Sequence, residues 1–185
     1  MPDARRLRRG ERGLMSISQD TDIRGGNMKS LVVYYSLTGK TRLVAQAIAE
    51  ALGATLVEVA ETKPRKLGPF IYLIGGFGAM TNRGSKINPI DVDLNQCERI
   101  FVGSPIWASR PVPAVNSYIH QTNFEGRDVI PFFTMGGTTA EKALDNITAK
   151  IEKSRGKVAG SFAITSYKVS DDEIIARAKE VIKNY

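Results

Sequence analysis

The amino-acid sequence predicts an α/β domain: a doubly wound, five-stranded parallel sheet in the order 2-1-3-4-5, with helices on both faces. Two observations carry that expectation. From residue 29 onward, strand-like and helix-like stretches alternate five times. The strand-like stretches are continuous apolar runs, as strands covered on both faces require. Right-handed crossovers between parallel strands then leave few orders to choose from.

The first run is "LVVYY" (31–35), β-branched and aromatic. A helix is expected over 41–52, with Leu43, Val44, Ala47, Ile48, Ala51 and Leu52 on its inner face and Gly53 as its stop. "TLVEV" (55–59) reads as the second strand, and the glycine-rich "FIYLIGGFGAM" (70–80) as a half-buried helix. "RIFVGSPI" (99–106) is the third strand. The helix expected over 112–121 has Pro113 in its first turn, where a missing N–H costs nothing. "VIPFF" (129–133) is the fourth strand, and Pro131 removes a ladder donor, so an irregular start is expected there. A helix over 139–153 places Ala143, Leu144, Ile147 and Ile151 inward, and "VAGSFAI" (158–164) is the fifth strand. The last helix, 171–183, opens with Ser170 as N-cap and acids in its first turn, which suits the helix dipole.

A chain of 185 residues suffices for one domain with a substantial core. No run approaches the roughly 18 apolar residues that a membrane span needs. The single cysteine, Cys97, excludes an internal disulfide framework and fits a reducing, cytoplasmic setting. Cys97 and His120, the one histidine, fall in unrelated segments, so no metal site or Cys–His nucleophile is expected; His120 reads as a helix surface residue. The formal charge of +7 raises nucleic acid as a partner, but the basic residues are spread along the chain without interleaved aromatics. A solvated basic surface is the better reading. Residues 1–27 are polar and charged, with no apolar pattern to pack. They are expected to be a disordered basic extension or a misassigned start, with the domain over 28–185.

In such sheets a ligand sits at the carboxyl ends of the strands, where the strand order reverses. The loops there read "SLTGKT", "GSPIWASR" and "TMGGTT". Gly39-Lys40-Thr41 complete the end of a Walker A loop, but its first glycine position is Tyr34, inside the strand, and no strand ends in a magnesium-binding Asp. A phospho-receiver is excluded too, since Ser36 and Ser104 stand where its acids are needed. The first loop does offer Ser36, Thr38 and Thr41 hydroxyls at a helix N-terminus, with Gly39 allowing a tight backbone. Free N–H groups and the positive end of the dipole there suit one terminal phosphate.

"SLTGKT" resembles in full the Ser/Thr-x-Thr-Gly-x-Thr FMN-phosphate motif of the flavodoxin family, and it lies after the first strand as in that family. "GSPIWASRPVPAV" and "FFTMGG" resemble the second and third flavin loops, and the resemblance spans about 29–183. It implies a flavodoxin-like fold with FMN as cofactor. Ser36, Thr38, Gly39 and Thr41 would hold the phosphate, with backbone N–H groups from Leu37 and Lys40. Pro105, Ile106, Trp107 and Ala108 would line the isoalloxazine, and Trp107, the one tryptophan, would stack on it. Thr134, Met135, Gly136 and Gly137 would approach its other edge through backbone groups.

The resemblance implies an electron carrier between redox partner proteins. The alternative is an NAD(P)H-dependent FMN oxidoreductase acting on a quinone or similar small acceptor. No residue announces itself as a catalytic base. The chain departs from the family's acidic members: its three loops hold no Asp or Glu but do hold Lys40 and Arg110, and the third loop lacks a second stacking aromatic. Those two cations are expected to favour a reduced, anionic flavin and so raise its potential.

Overall fold

The computed structural model describes residues 30–63, 84–137 and 139–185. The expected extension over 1–27 and the glycine-rich segment 70–80 lie outside the described residues. Strand β1 (Ser30–Tyr34) leads through a short loop into helix α1 (Lys40–Leu52), and β2 (Thr55–Glu58) follows. A 3-10 turn at Leu94–Gln96 precedes β3 (Arg99–Trp107), which folds back on the two-residue strand β4 (Arg110–Pro111). Then come α2 (Pro113–Gln121), β5 (Asp128–Met135), α3 (Glu141–Lys153), β6 (Lys157–Val158), β7 (Phe162–Thr165) and α4 (Asp171–Ile182).

The parallel strands run in the order β2-β1-β3-β5, and β6 and β7 lie end to end along β5 as two pieces of one edge strand. This is the expected 2-1-3-4-5 sheet with its fifth strand divided. The division answers the objection raised by Pro131. β5 passes through that proline without interruption and pairs it with Val102. The Val129 carbonyl accepts from the Ala159 N–H. By strand alternation, Pro131 turns its missing donor to the same side, where the edge strand breaks between Val158 and Phe162. The irregularity therefore falls on the neighbour, not on the start of the fourth strand. In that break Gly160 takes φ +149, and the Tyr185 ring lies where a Cβ would stand.

Strand alternation sorts the core into two layers. Leu31, Val33, Ile100, Val102, Val129 and Phe133 pack under α2 and α3, whose buried residues include Val115, Ile119, Ala143, Ile147 and Ile151. Val32, Tyr34, Phe101, Ile130 and Phe132 pack under α1 and α4 through Val44, Ile48, Ile174, Ala178 and Ile182. The inner face of α1 is rotated from the expected one. Ala45 and Ala49 are buried, Ala51 is exposed, and Leu43 and Leu52 are half-buried. The last helix starts as expected, with the Ser170 hydroxyl accepting from the Glu173 N–H.

Gly103 shows how tightly β3 and β5 are fitted. It stands opposite Phe132, and a Cβ added there would lie 2.2 Å from the Phe132 ring. Gly103→Ala is expected to cost about 1–3 kcal/mol by overpacking. In Phe132→Leu/Gly103→Ala the loss should be smaller than the sum of the single losses, as urea denaturation of the four proteins would measure.

Candidate functional site

At the carboxyl edge of the sheet, β1 gives way to Ser36–Gly39. Gly39 is the N-cap of α1, with φ +89 and ψ −20, a left-handed backbone that glycine adopts without penalty. No side chain caps the helix, and its first turn carries no acid. The serine and threonines of "SLTGKT" are thus not spent on capping. The Ser36 hydroxyl is buried and has no hydrogen-bond partner, and Thr38 is exposed. An orphaned hydroxyl beside uncapped helix N–H groups fits a terminal phosphate.

Thr41 and Lys40 behave differently from expectation. The buried Thr41 hydroxyl lies 2.7 Å from that of Thr134 at the end of β5. One of the pair donates to the other, so the acceptor's own O–H is left to point elsewhere. Lys40 turns away and its Nζ meets Asp171 Oδ1 at 2.6 Å, at the start of α4. Its side-chain charge is therefore compensated by an acid that lies outside the three loops. Leu37 is half-buried against the core layer beneath α2 and α3.

The second segment is a hairpin and not an open loop. Trp107 pairs with Arg110 and Ile106 with Pro111, antiparallel, around Ala108 and Ser109 at φ +47 and +59. Positive φ at both turn residues matches a type I′ turn, here made without glycine, which stores about 1–3 kcal/mol of strain per residue. Ser104, fully buried, holds the base of the hairpin: its Oγ accepts from the Val112 N–H at 3.1 Å and donates to the Pro105 carbonyl. Pro105, Ile106 and Trp107 are half-buried and Ala108 is exposed. The Trp107 ring meets Tyr35 edge-on at 6.2 Å between centroids, and Tyr35 donates from its hydroxyl to the buried carboxylate of Glu61 at 3.3 Å. In the third segment Thr134 is buried, Met135 half-buried, and Gly136 and Gly137 exposed.

The three expected segments thus share the carboxyl edge, and the Thr41–Thr134 and Tyr35–Trp107 contacts link the first to the third and to the second. Sequence reasoning missed Ser104, Glu61, Asp171 and Tyr167. Glu61 follows closely on β2, and Asp171 is one of the first-turn acids already noted. Tyr167, 63% exposed, follows β7 and lies against Gly136, with Lys168 Nζ 5.3 Å from its ring centroid. It supplies an exposed aromatic beside the third segment, from a strand end that sequence reasoning did not search.

The sequence profile of the family described as Flavodoxin matches residues 79–171. The chain belongs to the flavodoxin family. Solved structures agree in fold. A flavoprotein in complex with FMN from Lactobacillus acidophilus NCFM is 22% identical, with 81% of this chain and 97% of that one covered and a TM-score of 0.65. Flavodoxin 2 from Bacillus cereus, in its oxidised form, is 14% identical over 84% of this chain and 95% of its own, with a TM-score of 0.54. A flavodoxin from the domain Archaea is 16% identical over 85% and 98%, with a TM-score of 0.51. At these identities the likeness is one of fold. No match was found among curated proteins. Among the described residues of this flavodoxin, no helix is long and apolar enough to cross a membrane.

Ser104 is the residue of this flavodoxin whose role is most directly checked. Ser104→Ala leaves the Val112 N–H buried without its acceptor, at a cost of about 1–3 kcal/mol. Denaturation should show that loss. The emission of Trp107, the sole tryptophan, should shift red as the hairpin loosens; an unmoved emission would mean that Ser104 does not hold the hairpin.

Proposed function

We propose that this flavodoxin binds FMN and carries electrons between redox partner proteins. The observation that carries the reading is the orphaned Ser36 hydroxyl beside the uncapped start of α1. Bound there, FMN would supply one- and two-electron redox chemistry, while the chain sets its orientation and its access to solvent. Ser36, Thr38 and the N–H groups of Leu37, Gly39 and Lys40 hold the phosphate. Thr41, through its contact with Thr134, braces the first segment against the third. Trp107 presents a ring from the hairpin, fixed edge-on by Tyr35, and Pro105, Ile106 and Ala108 complete that wall. Met135, Gly136 and Gly137 leave a low backbone edge opposite.

Carriage between proteins is favoured over turnover of a small substrate by the exposure of this edge. Ala108, Ser109, Gly136, Gly137 and Tyr167 all face solvent, so a partner protein can approach. Cys97, the single cysteine, is buried and fits a reducing, cytoplasmic setting.

Ser36→Ala tests the cofactor with two readouts of opposite sign. In the apo-protein it removes a buried hydroxyl without a partner and should raise stability, since such a group costs about 1–3 kcal/mol. Toward FMN it deletes a charge-assisted hydrogen bond, worth about 1.5–3 kcal/mol, and should weaken binding about ten- to a hundredfold. Riboflavin, which lacks the phosphate, should bind wild type weakly and lose nothing in the variant. Equal losses for both flavins would exclude Ser36 as a phosphate ligand, and riboflavin binding as tightly as FMN would sink the cradle itself.

A further inference from the structure

On the sheet face away from α1, a cleft of about 750 Å³ opens between α2 and α3. It is bordered by Asn116, Ser117 and His120 on α2 and by Asn146, Lys150 and Lys153 on α3, with Arg155 just beyond. No Asp or Glu is among its described lining residues. Asn146 also borders a second cleft, of about 590 Å³, against the hairpin tip at Ala108–Arg110; Lys142 and Asp145 complete that one. None of this belongs to the phosphate cradle, and no residue of "SLTGKT" borders either cleft.

Lys150 is the centre of the larger cleft. Its Nζ donates to Asn116 Oδ1 at 2.7 Å and to Asn146 Oδ1 at 2.5 Å, two neutral carbonyls. Asn116 is only 5% exposed, and its Nδ2 is buried without a hydrogen-bond partner. Because its Oδ1 is fixed on the ammonium, the amide cannot flip to relieve that orphaned donor. Buried amide donors without partners are rare in native proteins and call for an explanation. Here the unused donor lies next to a cation, in a cleft bordered by three further basic side chains.

We propose that this cleft binds a small phosphate-bearing molecule of nucleotide size, with its oxyanion held between Lys150 and the Asn116 side-chain amide. The volume lies within the roughly 300–1,000 Å³ of small-ligand sites. The recessed position of Asn116 selects a small molecule over a protein surface, because a flat partner does not reach an amide that is nineteen-twentieths covered. The electrostatics agree: burial and, secondarily, Arg110 push the Lys150 pKa down to about 8, and a bound oxyanion would push it back up. The inference is independent of FMN.

The test is an NMR titration of the isotope-labelled full chain, following the Asn116 side-chain amide and the Lys150 Cε–H signals. The probes are AMP, adenosine and inorganic phosphate. AMP should shift both signals saturably and raise the Lys150 pKa. It should bind more tightly than inorganic phosphate, and adenosine should shift neither signal. Between pH 7 and pH 9 the affinity for AMP should fall severalfold as Lys150 loses its proton. The other titratable and charged groups bordering the two clefts are His120, Lys153, Arg155, Arg110, Lys142 and Asp145, and the Lys150→Met comparison at each pH separates their contribution from that of Lys150. Lys150→Met should abolish the shifts, and Asn116→Asp should do the same while pairing with Lys150 and sparing the fold; Lys168→Met, at the far end of β7, should leave them intact. Equal response to AMP and adenosine would overturn the oxyanion, and equal affinity for AMP and inorganic phosphate would overturn the nucleotide-sized ligand. Movement confined to the amides of Ser36–Thr41 would overturn the site altogether.

Discussion

The left-handed backbone of Gly39 is the constraint on which the carboxyl edge depends. A residue at φ +89 ends the loop after β1 and starts α1 in a single step, and the direction of that step decides where its neighbours point. Lys40 and Thr41 are consecutive in the helix, about 100° apart around its axis. One is therefore sent outward to Asp171 and the other inward to Thr134. The same step leaves the first N–H groups of α1 without a side-chain cap, and Ser36, just before it, without a partner. A side chain at position 39 would meet no steric obstacle; the backbone conformation alone requires glycine.

Rigidity around that step comes from contacts between segments far apart in the chain. The Thr41–Thr134 hydroxyl pair joins the first strand's loop to the end of β5 across 93 residues. Ser104 fastens the hairpin base to the start of α2, and Tyr35 sets the tilt of Trp107. All three contacts are buried or half-buried and short. Such bracing fixes the three segments relative to one another, which would reduce the ordering entropy lost if the proposed ligand binds there. The strained Ala108–Ser109 turn persists because the strands on either side of it are fixed.

Much of this was legible in the sequence, for identifiable reasons. Strand identity and order followed from continuous apolar runs such as "LVVYY", because burial on both faces is a local signal. "SLTGKT" stood out because its hydroxyls and glycine are consecutive in the chain; the structure adds an orphaned Ser36 hydroxyl and an uncapped helix start there. What escaped depends on distant partners or on backbone sign. Positive φ at Ala108 and Ser109 is not written in residues that usually avoid it, so the hairpin read as a loop. Pro131 was read as a defect of its own strand, whereas the sheet moved the gap to β6 and β7. The rotation of α1, burying Ala49 in place of Ala51, is set by how α4 packs against it, a contact between helices more than 100 residues apart.

The charge argument shows the same limit most clearly. Counted along three loops, Lys40 and Arg110 stand unopposed, and the whole chain is basic by seven charges. In space, Lys40 is answered by Asp171, the carboxylate of Glu61 lies one hydrogen bond from the residue that fixes Trp107, and Arg110 presses on Lys150 beside a cleft with no acid among its described lining residues. Net charge sets a weak field over the surface, screened within about 10 Å at moderate salt. The field at a site is set by the few groups closer than that. At the mouth of α1, Lys40 is paired with Asp171. Between α2 and α3, by contrast, Lys150 and the orphaned Asn116 amide border the cleft proposed above to take an anion.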